Sequence, residues 1–169
     1  MTTDPSGNAI PSYSRDGKWL YFASSRTGRD EIWKMPSEGG VEVQVTRKGG
    51  LVAFESLDGK WLYYTKSDAS PRLWKMPAAG GEETQLAPFV AGARAFAVTD
   101  VGIYFIAPPK HGTEGSIDFI SFKSNAPRTL LPITRWPFLG LSVSPDNRSL
   151  LYSQYDQAGA DLMLIENFR

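Results

Sequence analysis

Ser14-Arg15-Asp16-Gly17-Lys18-Trp19-Leu20-Tyr21-Phe22 returns as Ser56-Leu57-Asp58-Gly59-Lys60-Trp61-Leu62-Tyr63-Tyr64, 42 residues further on. The echo continues in Ile32-Trp33-Lys34-Met35-Pro36 against Leu73-Trp74-Lys75-Met76-Pro77, and in Gly39-Gly40 against Gly80-Gly81, now offset by 41. One residue lost from the intervening loop accounts for the change of offset. A third, less regular copy runs through Ala95-Phe96-Ala97-Val98, a turn at Asp100-Val101-Gly102 and Ile103-Tyr104-Phe105-Ile106. A fourth recovers the signature as Leu141-Ser142-Val143-Ser144-Pro145-Asp146-Asn147-Arg148-Ser149-Leu150-Leu151-Tyr152. There Asn147 stands where Gly17 and Gly59 stand in the first two copies, a mild change because Asn tolerates the left-handed conformation.

Within each copy the residues read as strands. Trp19 to Ala23 is apolar on both alternating faces, the pattern of a strand covered on two sides. Asp16-Gly17 reads as the turn before it, and Pro11-Ser12-Tyr13-Ser14 as a short first strand. A third strand at 31–35 stops at Pro36, and Val41-Glu42-Val43-Gln44-Val45 alternates as a half-exposed fourth. The second copy places its strands at 51–55, 60–65, 72–76 and 83–86. The third continues with strands at 117–122 and 128–131 after an insert at 108–116, and the fourth has a third strand at 160–167 and none after it.

A period near 40 with four strands per repeat is that of a β-propeller blade. The expected fold is all-β: one propeller domain over 1–169, with blades of four antiparallel strands at about 9–46, 50–87, 93–131 and 139–169, the last incomplete. Four blades is the lower end of the propeller range of about 4 to 8. The chain is expected to be part of a ring of six to eight blades; a closed four-bladed ring and an open half completed by a second copy are the alternatives.

Lys plus Arg and Asp plus Glu each total 18, so no net field draws in nucleic acid, and the densest basic group, 26–34, is interrupted by Asp30 and Glu31. No nucleic acid is expected as a partner. No apolar stretch nears the roughly 20 residues of a membrane helix, so no membrane segment is expected, and Met1-Thr2-Thr3-Asp4-Pro5 has no secretion-signal pattern. The absence of cysteine removes disulfides, thiolate metal sites and a Cys nucleophile.

Chemistry-bearing motifs are few. His111, the single histidine, lies in the polar insert and reads as a loop residue. No nucleophile elbow, phosphate loop or His-Glu-x-x-His helix occurs, so no catalytic residue, cofactor or metal is expected. Asp16, Asp58 and Asp146 recur at one blade position, where capping of the turn outweighs metal ligation. Trp33 and Trp74 occupy equivalent third-strand positions and are expected in the core rather than on a ligand platform. Glu55 and Arg94 lie near first strands, which line a propeller's channel. Arg26, Arg29, Lys66 and Asp68 fall on turns between second and third strands, the exposed loops with which such scaffolds hold partners.

With its Ser-Pro-Asp turn and apolar strand, the chain resembles the WD40-like (PD40) propeller repeats of the TolB type. Residues 144–169 are similar to the C-terminal end of bacterial winged-helix regulators or Ser/Thr kinases that carry such a propeller. The resemblance implies a fragment of a larger bacterial protein, periplasmic in its parent. The complete repeats together with the lack of a catalytic constellation point to a non-catalytic module for protein interaction or sensing, with a protein partner, and the incomplete last blade to a second copy that completes the ring. Other roles known for such propellers are the accessory propeller of a peptidase or hydrolase and the binding of a small molecule or sugar in the channel.

Overall fold

Three of the four blades are organised from one turn. In the computed structural model, which describes residues 7–69, 71–87, 90–109, 114–124, 126–156 and 159–166, the Ser14 N–H donates to the Trp19 carbonyl at 2.8 Å and the Gly17 N–H to the Ser14 carbonyl at 3.0 Å. The Ser14 hydroxyl accepts the Trp19 N–H at 2.9 Å and donates to Asp16 Oδ1 at 2.7 Å, which also accepts the Lys18 N–H. The same bonds recur at Ser56-Asp58-Trp61 and at Ser144-Asp146-Ser149. The three aspartates are thus caps of their turns. Gly17, Gly59 and Asn147 take φ of 72°, 69° and 56°, the left-handed step the turn requires. Hydrogen bonds from the serine hydroxyl, then from the backbone N–H, hold each aspartate's carboxyl below its ordinary value.

From these turns run four antiparallel sheets. The first is β1 (Asn8–Tyr13), β2 (Trp19–Ser24), β3 (Glu31–Pro36) and β4 (Val43–Gln44). The second is β5 (Val52–Glu55), β6 (Trp61–Thr65), β7 (Leu73–Pro77) and β8 (Thr84–Ala87). The third is β9 (Phe96–Val98), β10 (Gly102–Ala107), β11 (Gly115–Ser121) and β12 (Pro127–Ile133), and the fourth is β13 (Pro137–Val143), β14 (Ser149–Asp156) and β15 (Gly159–Glu166). Strands are neighbours in chain order, so each sheet is a meander and a propeller blade. Among the described residues the fourth has three strands, as its sequence predicts. There is no helix among the described residues, and none long and apolar enough to cross a membrane.

Boundaries differ from the sequence pattern where hydrogen bonding decides. β1 begins at Asn8 because a bulge between Ala9 and Ser12, with Ile10 at φ 56°, lets it continue along β2 past Pro11. β4 shrinks from the expected five residues to two, because the N–H groups of both Val45 and Thr46 turn to the Ile32 carbonyl. The insert returns to the sheet early: Gly115 and Ser116 pair with β12, and Ser116 also pairs with Ala107 of β10.

The chain divides into two compact units, 1–88 and 89–169, of two blades each. In the first, Tyr21 and Ile32 pack with Ala53, Leu62, Tyr64 and Met76 of the next sheet, and the Ser12 hydroxyl donates to the Ala53 carbonyl at 2.7 Å. In the second, Tyr104, Ile106, Ile117 and Phe119 pack with Leu141, Leu150 and Tyr152. Glu31, buried at the root of β3, accepts the Thr46 hydroxyl and the Gly49 N–H, pinning the crossover between blades one and two. One face of the fourth sheet stays open: Leu162 is 72% exposed, Leu164 61%, and Leu151 and Tyr155 share that side.

Two outcomes test this account. Gly17→Ala, with open space around the new methyl but φ at +72°, is expected to cost about 1–2 kcal/mol. That corresponds to a melting temperature lower by about 2–8 °C. Because the aspartates' folded pKa values are depressed, their contribution is complete above the ordinary value of 3.8 and is lost as pH falls through the lower folded values. An acid titration followed by circular dichroism is expected to show this loss, and Asp16→Asn, Asp58→Asn and Asp146→Asn combined to remove it.

Candidate functional site

In the first unit, the turns of the two blades border a cleft of about 520 Å³ lined by Arg15, Asp16, Trp19, Tyr21, Lys34, Glu55 and Asp58, among others. Glu55, the last residue of β5, is only 7% exposed. Its Oε1 accepts the Tyr21 hydroxyl at 2.9 Å and its Oε2 the Arg15 N–H at 2.7 Å, while its carbonyl accepts Arg15 Nε. Both carboxylate oxygens are therefore engaged in fastening the turn of one blade to the first strand of the next. Burial, then the hydrogen bond to Glu55, pushes the Tyr21 phenol well above the ordinary tyrosine range, so it stays a donor. Over the cleft, Lys34 Nζ sits 4.7 Å from the Trp19 ring centre. Lys75 makes the same contact with Trp61 in blade two.

At the other end of these strands lie the loop residues singled out from the sequence. Arg26 stacks on Trp33, 4.4 Å from the ring centre, and binds Glu42, Ser24 and Asn8. Lys66 stacks on Trp74 at 3.8 Å and binds Glu83 at 2.6 Å; Glu83 also accepts the Tyr64 hydroxyl. The Arg26 and Lys66 side chains are 12% and 19% exposed, so both are folded back onto their own blades. Each indole is half-buried beneath a cation rather than sealed in the core. Arg29 bridges Glu31 and the Arg47 carbonyl but remains largely exposed, and Asp68 is exposed. Arg94 is exposed in the turn before β9, and His111 lies outside the described residues.

Sequence reading missed Glu42 and Glu83, although both follow a Gly-Gly pair and are related by the offset of 41. Burial works against ionisation of Glu83, but hydrogen bonds from Lys66 and Tyr64 outweigh it and hold the carboxyl below its ordinary value.

The second unit has a different cleft at its turn end, of about 840 Å³. Its floor is aromatic: Tyr104 and Phe119 lie with ring centres 4.5 Å apart, flanked by Val101, Phe122 and Leu130. Two changes from blade one open it. The turn is two residues shorter, with the Thr99 N–H bonded to the Gly102 carbonyl, and Gly102 stands where Trp19 stands in blade one. A Cβ at Gly102 would meet the Ile120 carbonyl at 2.2 Å and the Phe119 ring at 2.6 Å, so the ring rests where a side chain would project. Phe119 in turn occupies the cross-strand position that Lys34 holds opposite Tyr21. Arg128 lies over Phe119 at 5.4 Å, and Lys123, Asp100, Asp146 and Asn147 complete the rim. None of these was singled out for binding from the sequence, since a degenerate repeat hides which positions have changed role.

No family model matches the chain. A segment of 46 residues is 41% identical to an uncharacterized protein of Agrobacterium fabrum, covering 27% of this chain and 16% of that protein. Among solved structures, TolB from Acinetobacter baumannii superposes with a TM-score of 0.77 at 21% identity, over 99% of this chain and 42% of that one. A candidate TolB from Agrobacterium tumefaciens gives 0.72 at 13% identity, over 96% and 59%. Oligogalacturonate lyase from Vibrio parahaemolyticus gives 0.70 at 17%, over 92% and 48%. The chain thus has a TolB-like β-propeller fold, and it spans from under half to three-fifths of the length of these structures.

Glu55→Gln keeps an acceptor for one of its two donors only. It is expected to cost about 1–3 kcal/mol in chemical denaturation, whereas exposed Glu82→Gln changes nothing measurable. Lys66→Met keeps packing on Trp74 but removes the charge. NMR titration of Glu83 in that variant is expected to show its pKa rising toward the ordinary 4.5; an unmoved value would refute the role given to Lys66.

Proposed function

We propose that the chain is the propeller portion of a larger bacterial protein and works as a non-catalytic module that binds or senses a protein partner, in the periplasm. The observation that carries this reading is the use of its buried glutamates. In Glu31 and Glu55, every carboxylate oxygen already accepts a hydrogen bond from the scaffold. A general acid or base needs such an oxygen turned toward a substrate. The exposed polar residues that remain, among them Asp68, Arg94 and Lys123, lie on loops and turns, where rigid scaffolds meet partners. The open face of the fourth sheet fits the same reading, as the surface on which a further blade of a six- to eight-bladed ring would rest.

The likeness to oligogalacturonate lyase supplies the contrary case to test. Incubation with oligogalacturonate, with and without manganese, is expected to give no unsaturated product; turnover that Glu55→Gln abolishes would overturn the non-catalytic reading. Photo-crosslinkers at Asp68, Arg94 and Lys123 of the parent protein, in the bacterium that carries it, are expected to trap a discrete protein. Failure at all three positions would count against a partner-binding module.

A further inference from the structure

The chain holds two Asp-Gly pairs, Asp16-Gly17 and Asp58-Gly59, one in each blade turn of the first unit. An Asp-Gly pair can react with itself, because no side chain on the glycine shields its nitrogen. The glycine N attacks the aspartate Cγ, an N–Cγ bond forms, and the carboxylic acid's OH leaves as water with the N–H hydrogen. Water then opens the resulting succinimide at either carbonyl. Opening at Cγ restores aspartate, and opening at the main-chain carbonyl leaves isoaspartate, with the chain running through Cβ. Water is the only other reactant, and nothing is oxidised or reduced.

Both turns restrain the two reacting groups. The Gly17 N–H is committed to the Ser14 carbonyl at 3.0 Å, and the Gly59 N–H to the Ser56 carbonyl at 3.0 Å. Asp16 Oδ1 accepts the Ser14 hydroxyl at 2.7 Å and the Lys18 N–H at 3.1 Å. Asp58 Oδ1 accepts the Ser56 hydroxyl at 2.6 Å and the Lys60 N–H at 3.1 Å. Carboxyl and peptide plane therefore cannot turn toward one another without breaking these bonds. The same bonds keep each carboxyl ionised, the form whose oxygen leaves least readily. The two side chains stand 52% and 53% exposed, so hydrogen bonds rather than packing supply the restraint. The turn at Asp146 has the same bonds, but Asn147 follows it, and a Cβ there crowds the approach to the nitrogen.

We infer that Asp16 and Asp58 are the chain's sites of spontaneous isomerisation to isoaspartate, each kept intact by the serine of its own turn. Isomerisation undoes the turn that prevented it. One extra backbone atom enters, and the carboxylate that accepted the serine hydroxyl and the backbone N–H moves off the side chain. At Asp16 the damage reaches the next blade. Arg15 stands in the same turn, and its N–H and Nε hold Glu55 of β5. A modified first turn thus loosens the join between blades one and two. This chemistry is independent of the partner-binding reading above.

The test follows isoaspartate at each site by enzymatic methylation of its free carboxylate and by peptide mapping. The chain is kept at neutral pH and physiological temperature, folded or in urea. In urea, Asp16 and Asp58 are expected to isomerise faster than Asp146. In the folded chain both are expected to slow by about tenfold or more, because a turn must open locally before it reacts. Ser14→Ala removes two hydrogen bonds of the first turn and is expected to speed Asp16 about tenfold while the rate at Asp58 stays unchanged. Ser56→Ala is expected to reverse that pattern. Each variant carries its own undisturbed site, so a general loss of folding shows as both sites rising together. That outcome in both variants overturns protection by the individual turn. Equal rates in folded and unfolded chain, or no isoaspartate at either site in urea, overturn the inference as a whole.

Discussion

A serine hydroxyl that accepts one backbone N–H and donates its own hydrogen bond to an aspartate two residues on fixes where a blade's second strand begins. With that arrangement in place, Trp19 leaves the first turn in register with Ser14, and the alternation of the strand puts Tyr21 on one face and Phe22 on the other. Shift the register by one residue and every apolar side chain changes face, so the packing of one blade on the next rests on three polar atoms at its tip. Blade three lacks the serine and the aspartate. It closes instead through Thr99 with a shorter turn.

The two units solve one packing problem in different ways. The first joins its blades with buried polar staples, Glu55 to the neighbouring turn and Glu31 to the crossover, alongside a modest apolar cluster. The second joins its blades through an apolar cluster of Tyr104, Ile106, Ile117 and Phe119 with Leu141, Leu150 and Tyr152, and its buried polar pairs, Ser116 with Asp118 and Tyr152 with Gln154, lie within single strands. Buried hydrogen-bonded carboxylates define geometry more than they add stability, because desolvation offsets much of what the bonds contribute.

How far the sequence could be read follows from the same physics. The repeat made the blades, the turns and the incomplete fourth sheet legible, because local chemistry at Ser14, Asp16 and Gly17 suffices to set them. The roles of Glu55, Arg26 and Lys66 were not legible. A charged residue near a channel strand or on a loop looks alike whether it faces solvent or folds back onto an indole, and only three-dimensional packing separates the two. The second unit's cleft was hidden for another reason: it arises from what is missing, a tryptophan and two turn residues, and a scan for recurring motifs passes over such losses.

The two indole, cation and glutamate stacks carry a lesson about descent by duplication. Glu42 and Glu83 occupy one repeat position, as do Trp33 and Trp74, yet Arg26 and Lys66 enter from different places in their loops. A long cationic stem can reach the same spot from several addresses along the backbone. What the blades inherited is a requirement for positive charge within reach of a fixed acid and ring, so these loops can drift in length and wording while the sheets beneath them keep their form.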